Sequence, residues 1–161
     1  MNTNSIGIVN CGVGNFKSLI NAVSSLSSYD LIISDDLHDL ELCGKLFLPG
    51  VGSFATASKS KNIQNLSNLI NQFSISRRPV LGICLGMQIL FRASSEGGNL
   101  PGLSMIDSTI LHFKDHDQFQ MHDKLLIPHV GFNTAIPIQN SELFSGISPN
   151  DRFYFTHSYY A

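Results

Sequence analysis

The sequence predicts an α/β fold: a mostly parallel central sheet with helices on both faces, plus a smaller antiparallel strand region. Three observations predict it. Short apolar runs alternate with helical patterns through the first 91 residues, in the order β-α-β-α-β-α-β, and a parallel sheet is what such crossovers build. Turns rich in glycine follow two of the runs, at residues 11–15 and 49–53. A further run ends in Gly82-Ile83-Cys84-Leu85-Gly86, a strand-to-helix turn that carries a thiol. All three turns fall at the carboxyl ends of strands, where open α/β sheets place their ligands.

The elements follow in order. Ile6 to Asn10 is the first strand, and Cys11-Gly12-Val13-Gly14-Asn15 the turn after it. Phe16, Leu19, Ile20, Val23 and Leu26 fall at i, i+3, i+4, i+7 and i+10, the stripe of an amphipathic helix, with Asn15 as its N-cap. Asp30 to Ser34 is a second strand, and residues 35–43 form a polar connection with one helical turn. Leu46 to Leu48 is a third strand, closed by Pro49-Gly50-Val51-Gly52. Ile63, Leu66, Leu69, Ile70 and Phe73 mark a second long helix. Val80, Leu81 and Ile83 read as a buried central strand, and Met87 to Phe91 as the start of a helix. Residues 94–102 are a loop. Beyond it, strand-like pieces lie at 103–106, 109–113, 125–127 and 134–138, a helical turn at 141–147, and an alternating aromatic strand at 152–160. Residues 114–124 read as an exposed polar turn. With no internal repeat or linker, residues 1–161 are expected to form one domain.

Cys84 is the candidate nucleophile. A side chain presented on a sharp strand-to-helix turn needs small neighbours at minus two and plus two, and Gly82 and Gly86 occupy those positions, as in a nucleophile elbow with Cys for Ser. N–H groups at the start of the following helix favour thiolate over thiol. The alternative is a structural cysteine acting as a small apolar core residue. Gly-x-Cys-x-Gly arises by chance in about one chain in a hundred of this length, and its position after a strand tips the balance toward chemistry.

Bulk properties narrow the function. The composition, 43% hydrophobic and 14% charged with a net charge of −2, fits a globular domain. It gives no reason to expect nucleic acid or a membrane surface as partner. No apolar run approaches a membrane span, and the first residues lack the pattern of a signal peptide. Three widely spaced cysteines make no disulfide framework. A cytoplasmic setting is expected. His112, His116 and His122 with Asp115, Asp117 and Asp123 lack rigid ligand spacing and read as solvated. No metal and no cofactor is expected.

An ordered set of motifs carries a resemblance. Asn10-Cys11-Gly12-Val13-Gly14-Asn15, Leu48-Pro49-Gly50-Val51-Gly52-Ser53-Phe54 and Gly82-Ile83-Cys84-Leu85-Gly86-Met87-Gln88 come first. Glu96-Gly97-Gly98-Asn99, Pro128-His129-Val130-Gly131-Phe132-Asn133, Leu143-Phe144-Ser145-Gly146-Ile147 and Phe153-Tyr154-Phe155-Thr156-His157-Ser158-Tyr159-Tyr160 follow. The chain resembles the class I, triad-type glutamine amidotransferases, whose sheet is flavodoxin-like, and within them the glutaminase subunit of imidazole glycerol phosphate synthases. The resemblance implies that Cys84 attacks the side-chain amide of glutamine, forming a thioester and releasing ammonia to a barrel-shaped synthase partner in a heterodimer of histidine biosynthesis. It implies an oxyanion site from the Leu85 N–H and the Gly50-Val51-Gly52 segment. It implies glutamine contacts from Gln88, Glu96, Ser158 and Tyr159, and a partner surface near Asn15 and Phe132.

The sequence also departs from the family pattern. The family completes its triad in a His-Pro-Glu segment, and neither His-Pro-Glu nor His-x-Glu occurs in these 161 residues. The family's last strands and helix are expected to be missing, and the polypeptide alone is expected to have negligible glutaminase activity. Two alternatives stay open at this point. One is a subunit feeding ammonia to a sugar amidotransferase of surface-polysaccharide synthesis. The other is a catalytically dead binding module.

Overall fold

The structure, a computed structural model, describes residues 2–10, 16–117, 126–139 and 141–161. The chain divides into two compact units, Met1–Ile110 with Ala161, and Leu111–Tyr160.

The first unit is built on a four-stranded parallel sheet. Its strands are β1 (Asn2–Val9), β2 (Asp30–Ser34), β3 (Cys43–Gly50) and β4 (Val80–Cys84), in the order β2-β1-β3-β4. The expected alternation of strands and helices along the chain and the parallel sense of the sheet are both present. β1 is central, and Ser5, Ile6, Gly7, Ile8 and Val9 are all buried, the continuous burial expected when both faces are covered. Helices α1 (Phe16–Leu26), α2 (Leu37–Leu40), α3 (Phe54–Ser58) and α4 (Ile63–Ile75) make the crossovers. Right-handed connection sends α1 to one face and the others to the opposite face. α4 buries Leu69, Ile70 and Phe73, which join Leu40, Leu46, Leu48, Phe54, Leu85 and Ile89 in the core.

Several elements differ from the sequence reading. α1 has the expected span, yet none of its residues is buried and Leu26 is 86% exposed. Its stripe residues Phe16, Leu19, Ile20 and Val23 are half-buried. β4 is an edge strand rather than a buried central one, because β5 (Phe91–Ser94) pairs instead with β6 (Leu100–Pro101) and with β7 (Ile106–His112). Helix α5 is a single turn, Leu85–Gln88. The residues after it turn into β5, so Phe91 opens a strand where a helix was expected. The turn at 11–15 and most of the polar stretch at 114–124 lie outside the described residues.

In the second unit, β8 (His129–Thr134) pairs antiparallel with β9 (Arg152–His157). β10 (Tyr159–Tyr160) pairs antiparallel with Leu111 and His112. The strand expected over 134–138 is not formed: Thr134 ends β8, residues 135–138 belong to no strand, and Ile136 and Ile138 are exposed.

Arg78 ties α4 to the sheet. Its guanidinium lies 3.8 Å over the Phe73 ring. One nitrogen donates to the carbonyls of Glu41 at 2.6 Å and Cys43 at 2.7 Å. Burial pushes the Cys43 thiol up from its ordinary value, against the opposing Ser5 hydrogen bond and Arg78 charge. The sign follows by linkage. A raised folded-state value means that this contribution is fully present below the unfolded thiol's value and is lost as pH rises toward the folded one. Cys43→Ala is therefore expected to lower stability at neutral pH by about 1 kcal/mol, and the gap should narrow above about pH 8.5. Urea unfolding of both proteins across this range checks it; a constant gap removes the argument.

Candidate active site

The site is assembled from the ends of β3 and β4. β3 and β4 run parallel with Leu48 opposite Gly82 and Gly50 opposite Cys84. The chain then reverses at Cys84, which has φ 55° and ψ −118°. That is a conformation L-residues rarely adopt. Leu85 and Gly86 turn back into the core and are buried, while Cys84 remains exposed.

The two flanking glycines are sterically required. A Cβ on Gly82 would stand 2.5 Å from Met87 Cα, and one on Gly86 would stand 1.7 Å from Leu48 O. The first contact lets α5 fold back on its own strand, and the second lets α5 pack against the β3 backbone. This is the reason anticipated from the sequence, now with its atoms named. The helix behind Cys84 is one turn long, so what it presents to the sulfur is the local N–H groups of that turn rather than a long macrodipole.

Gly50, Val51 and Gly52 run from the end of β3 toward α3, directly beside the elbow. Gly52 has φ +109°, which a side chain resists. Ser53 follows as the N-cap of α3, its Oγ accepting from Thr56 N at 3.3 Å. This segment borders a cleft of about 600 Å³ lined also by Asn10, Asp35, Ser60, Asn62 and Leu85. Cys84 is not among its lining residues, so the cleft adjoins the elbow without being centred on the thiol.

Gln88 is the half-buried last residue of α5. Glu96 is half-buried, and its Oε2 accepts from Phe54 N at 3.0 Å. It thus anchors the start of α3, a role the sequence reading missed because the partners lie 42 residues apart. Its other oxygen leaves acceptor capacity for a ligand. Gly50, Gly52, Cys84, Leu85, Gln88 and Glu96 belong to the first unit, with Val51 beside them.

Ser158, Tyr159 and Phe132 belong to the second unit. Phe132 is 61% exposed on β8 and meets Tyr154 edge-on at 5.3 Å. Arg152 donates to the Phe132 carbonyl at 2.8 Å. Asn15 lies outside the described residues. Among the described residues, no three His, Cys, Asp or Glu side chains cluster as metal ligands would. No helix is long and apolar enough to cross a membrane.

An exposed cysteine on a glycine-flanked strand-to-helix turn, at the carboxyl end of a parallel strand, has the geometry of an elbow in an α/β fold. The sequence profile of the class-I glutamine amidotransferases matches residues 8–161, and the chain belongs to that family. It is 39% identical over 156 residues to the imidazole glycerol phosphate synthase subunit HisH of Methanocaldococcus jannaschii, covering 96% of this chain and 73% of that protein. It is 37% identical to subunit HisH 2 of Pseudomonas aeruginosa, with the same coverage of both chains. Against subunit HisH of Leptospira interrogans it is 35% identical, covering 96% of this chain and 74% of the other. A solved glutamine amidotransferase superposes with a TM-score of 0.55 at 18% identity, over 70% of this chain and 59% of that one. That likeness bears on the fold alone. The chain thus spans about three quarters of its curated relatives and 59% of the solved structure.

Proposed function

We propose that this chain is the glutaminase component of an ammonia-supplying pair in histidine biosynthesis. The observation that carries the reading is the elbow: an exposed Cys84 on a strained backbone, beside Gly50 and followed at once by the Leu85 N–H. The relatives at 35–39% identity support the pathway, and the family match across both units supports residues 1–161 as one amidotransferase domain.

The chemistry runs as follows. The Cys84 sulfur attacks the amide carbon of glutamine, and the oxygen takes up negative charge. The Leu85 N–H and an N–H of the Gly50–Gly52 segment face that charge. The carbon–nitrogen bond then breaks, ammonia leaves with a proton, and water cleaves the thioester to glutamate. Gln88, Glu96, Ser158 and Tyr159 hold the polar ends of glutamine. Ammonia passes to a barrel-shaped cyclase subunit, with Asn15 and Phe132 on the docking side. The pair works in the cytoplasm as a heterodimer.

Proton transfer needs a base. Residues 1–110 contain one histidine, His38, and its Nδ1 lies 3.4 Å from Glu41. Loss of such a base lowers turnover by several orders of magnitude relative to a complete triad. Thiol chemistry persists to some extent, since a cysteine carries some thiolate unaided.

Treatment with an electrophilic glutamine analogue, read by peptide mass spectrometry, tests the assignment. A single adduct on Cys84, suppressed by added glutamine, is the expected result. An adduct indifferent to glutamine, or one that also takes the buried Cys43, overturns it.

A further inference from the structure

The second unit contains a pair of histidines that the chemistry above does not use. His129 and His157 face each other across the β8–β9 ladder, both half-buried. His129 Nδ1 lies 3.1 Å from His157 Nε2, and His157 Nδ1 lies 2.8 Å from the Tyr159 carbonyl oxygen. His129 stacks on Phe155 at 4.9 Å, and Phe113 meets the His157 ring edge-on at 5.0 Å. Aromatic contacts thus fix both ring planes, and hydrogen bonds fix their directions.

The direction of each bond follows from what the atoms can do. A carbonyl oxygen only accepts, so His157 Nδ1 carries a proton and donates to Tyr159. In the neutral ring Nε2 is then the acceptor, so His129 Nδ1 must be the donor. The neutral pair has one arrangement: both rings protonated on Nδ1, bonded head to tail into the backbone at Tyr159. The neighbouring carbonyl is held as well, since Ser158 O accepts from Phe113 N at 3.0 Å. Two consecutive carbonyls therefore have assigned donors, and β10 continues directly into its pairing with Leu111 and His112.

We propose that His129 and His157 are positioning residues, forming an imidazole relay that fixes the Tyr159–Tyr160 peptide and, together with Phe113 N on the Ser158 carbonyl, the backbone from which the Ser158 and Tyr159 side chains leave. Its ligand consequence rests on the reading of Ser158 and Tyr159 as glutamine contacts. The relay gives those contacts their preorganisation: His157 holds the peptide, and His129 holds His157 in the tautomer that can do so.

Nitrogen-15 NMR of the histidine-labelled full chain, at a pH where the spectrum itself shows both rings neutral, tests the relay without any substitution. Both His129 and His157 are expected as Nδ1–H tautomers. His129→Phe keeps the stacking ring and removes the donor. It should release His157 into mixed tautomers, shift the Tyr160 amide resonance, whose peptide carries the Tyr159 carbonyl, and weaken glutamine binding about three- to tenfold, the worth of one hydrogen bond. His129→Asn, whose amide nitrogen replaces Nδ1, should restore all three. An Nε2–H tautomer at His157 overturns the proposal, and so does a His129→Phe protein whose His157 and Tyr160 signals are unchanged. If the NMR results are as expected but no glutamine binds to the unsubstituted chain, the relay stands and the assignment of these residues to glutamine fails.

Discussion

Gly86→Ala is expected to abolish folding or to cost at least about 3 kcal/mol, the upper end of ordinary overpacking. The added Cβ would stand 1.7 Å from Leu48 O and 2.6 Å from Leu48 C. Both are backbone atoms of β3, a strand hydrogen-bonded to β1 on one side and β4 on the other. A flexible side-chain tip could swing aside. A carbonyl in the middle of a ladder cannot move without giving up its own bonds. Gly82→Ala meets Met87 Cα at 2.5 Å, a lesser overlap that a shift of the α5 turn can partly relieve. Gly98→Ala provides the control for backbone strain alone: φ is +101° and nothing lies within 4 Å of the new Cβ, so about 1 kcal/mol is expected. Urea unfolding followed by circular dichroism should rank the losses Gly86, then Gly82, then Gly98. A Gly86→Ala protein as stable as Gly98→Ala would mean that α5 does not pack on β3, and the elbow geometry would fall with it.

The elbow was legible in the sequence because its constraint is local. Two glycines two residues either side of a cysteine, after an apolar run, state a steric requirement within five positions. The helix over Ile63–Ile75 was legible for the same reason, since its stripe repeats within one element. What was not legible depends on partners far along the chain. The run Met87–Phe91 suits a helix by composition, yet Phe91 pairs with Ile106 and becomes a strand; tertiary pairing overrides weak local preference. α3 escaped notice because Phe54–Ser58 offers one large apolar residue and no repeat. β8 contains Gly131 and Asn133, poor strand formers, and is held by the aromatic residues of β9 opposite it. The more regular alternation just after it, at 134–138, drew the strand reading instead. The Glu96 contact with Phe54 N and the His129–His157 pair are products of register, which no short window contains. The sequence therefore located the glycine-flanked turn at Cys84 and the glycines at the end of β3, while the supports around them emerged only with the fold.

Cys84→Gly is expected to eliminate all adduct formation with the glutamine analogue and, at the same time, to raise stability by about 1 kcal/mol. Cys84 sits at φ 55° and ψ −118°, outside the left-handed well that Asn or Asp tolerates and in a region that favours glycine. Strain of this kind costs about 1–3 kcal/mol. Glycine relieves it but adds freedom to the unfolded chain, which takes back about 0.4–1 kcal/mol. Because the Cys84 side chain is exposed, removing it opens no core cavity. Cys84→Ala separates the two effects: it also loses the thiol, keeps Cβ and the strain, and should stay within about 0.5 kcal/mol of the parent. Urea midpoints should therefore rank Gly above Cys and Ala, with the last two nearly equal. If Cys84→Gly is no more stable than Cys84→Ala, the backbone at the elbow is not strained and the geometric argument for a nucleophile weakens. If the ranking holds, the fold keeps a residue at this position that a glycine would better satisfy structurally. The difference is then the stability given up to hold a sulfur atom clear of the sheet edge, next to the Leu85 N–H, where a carbonyl carbon can reach it.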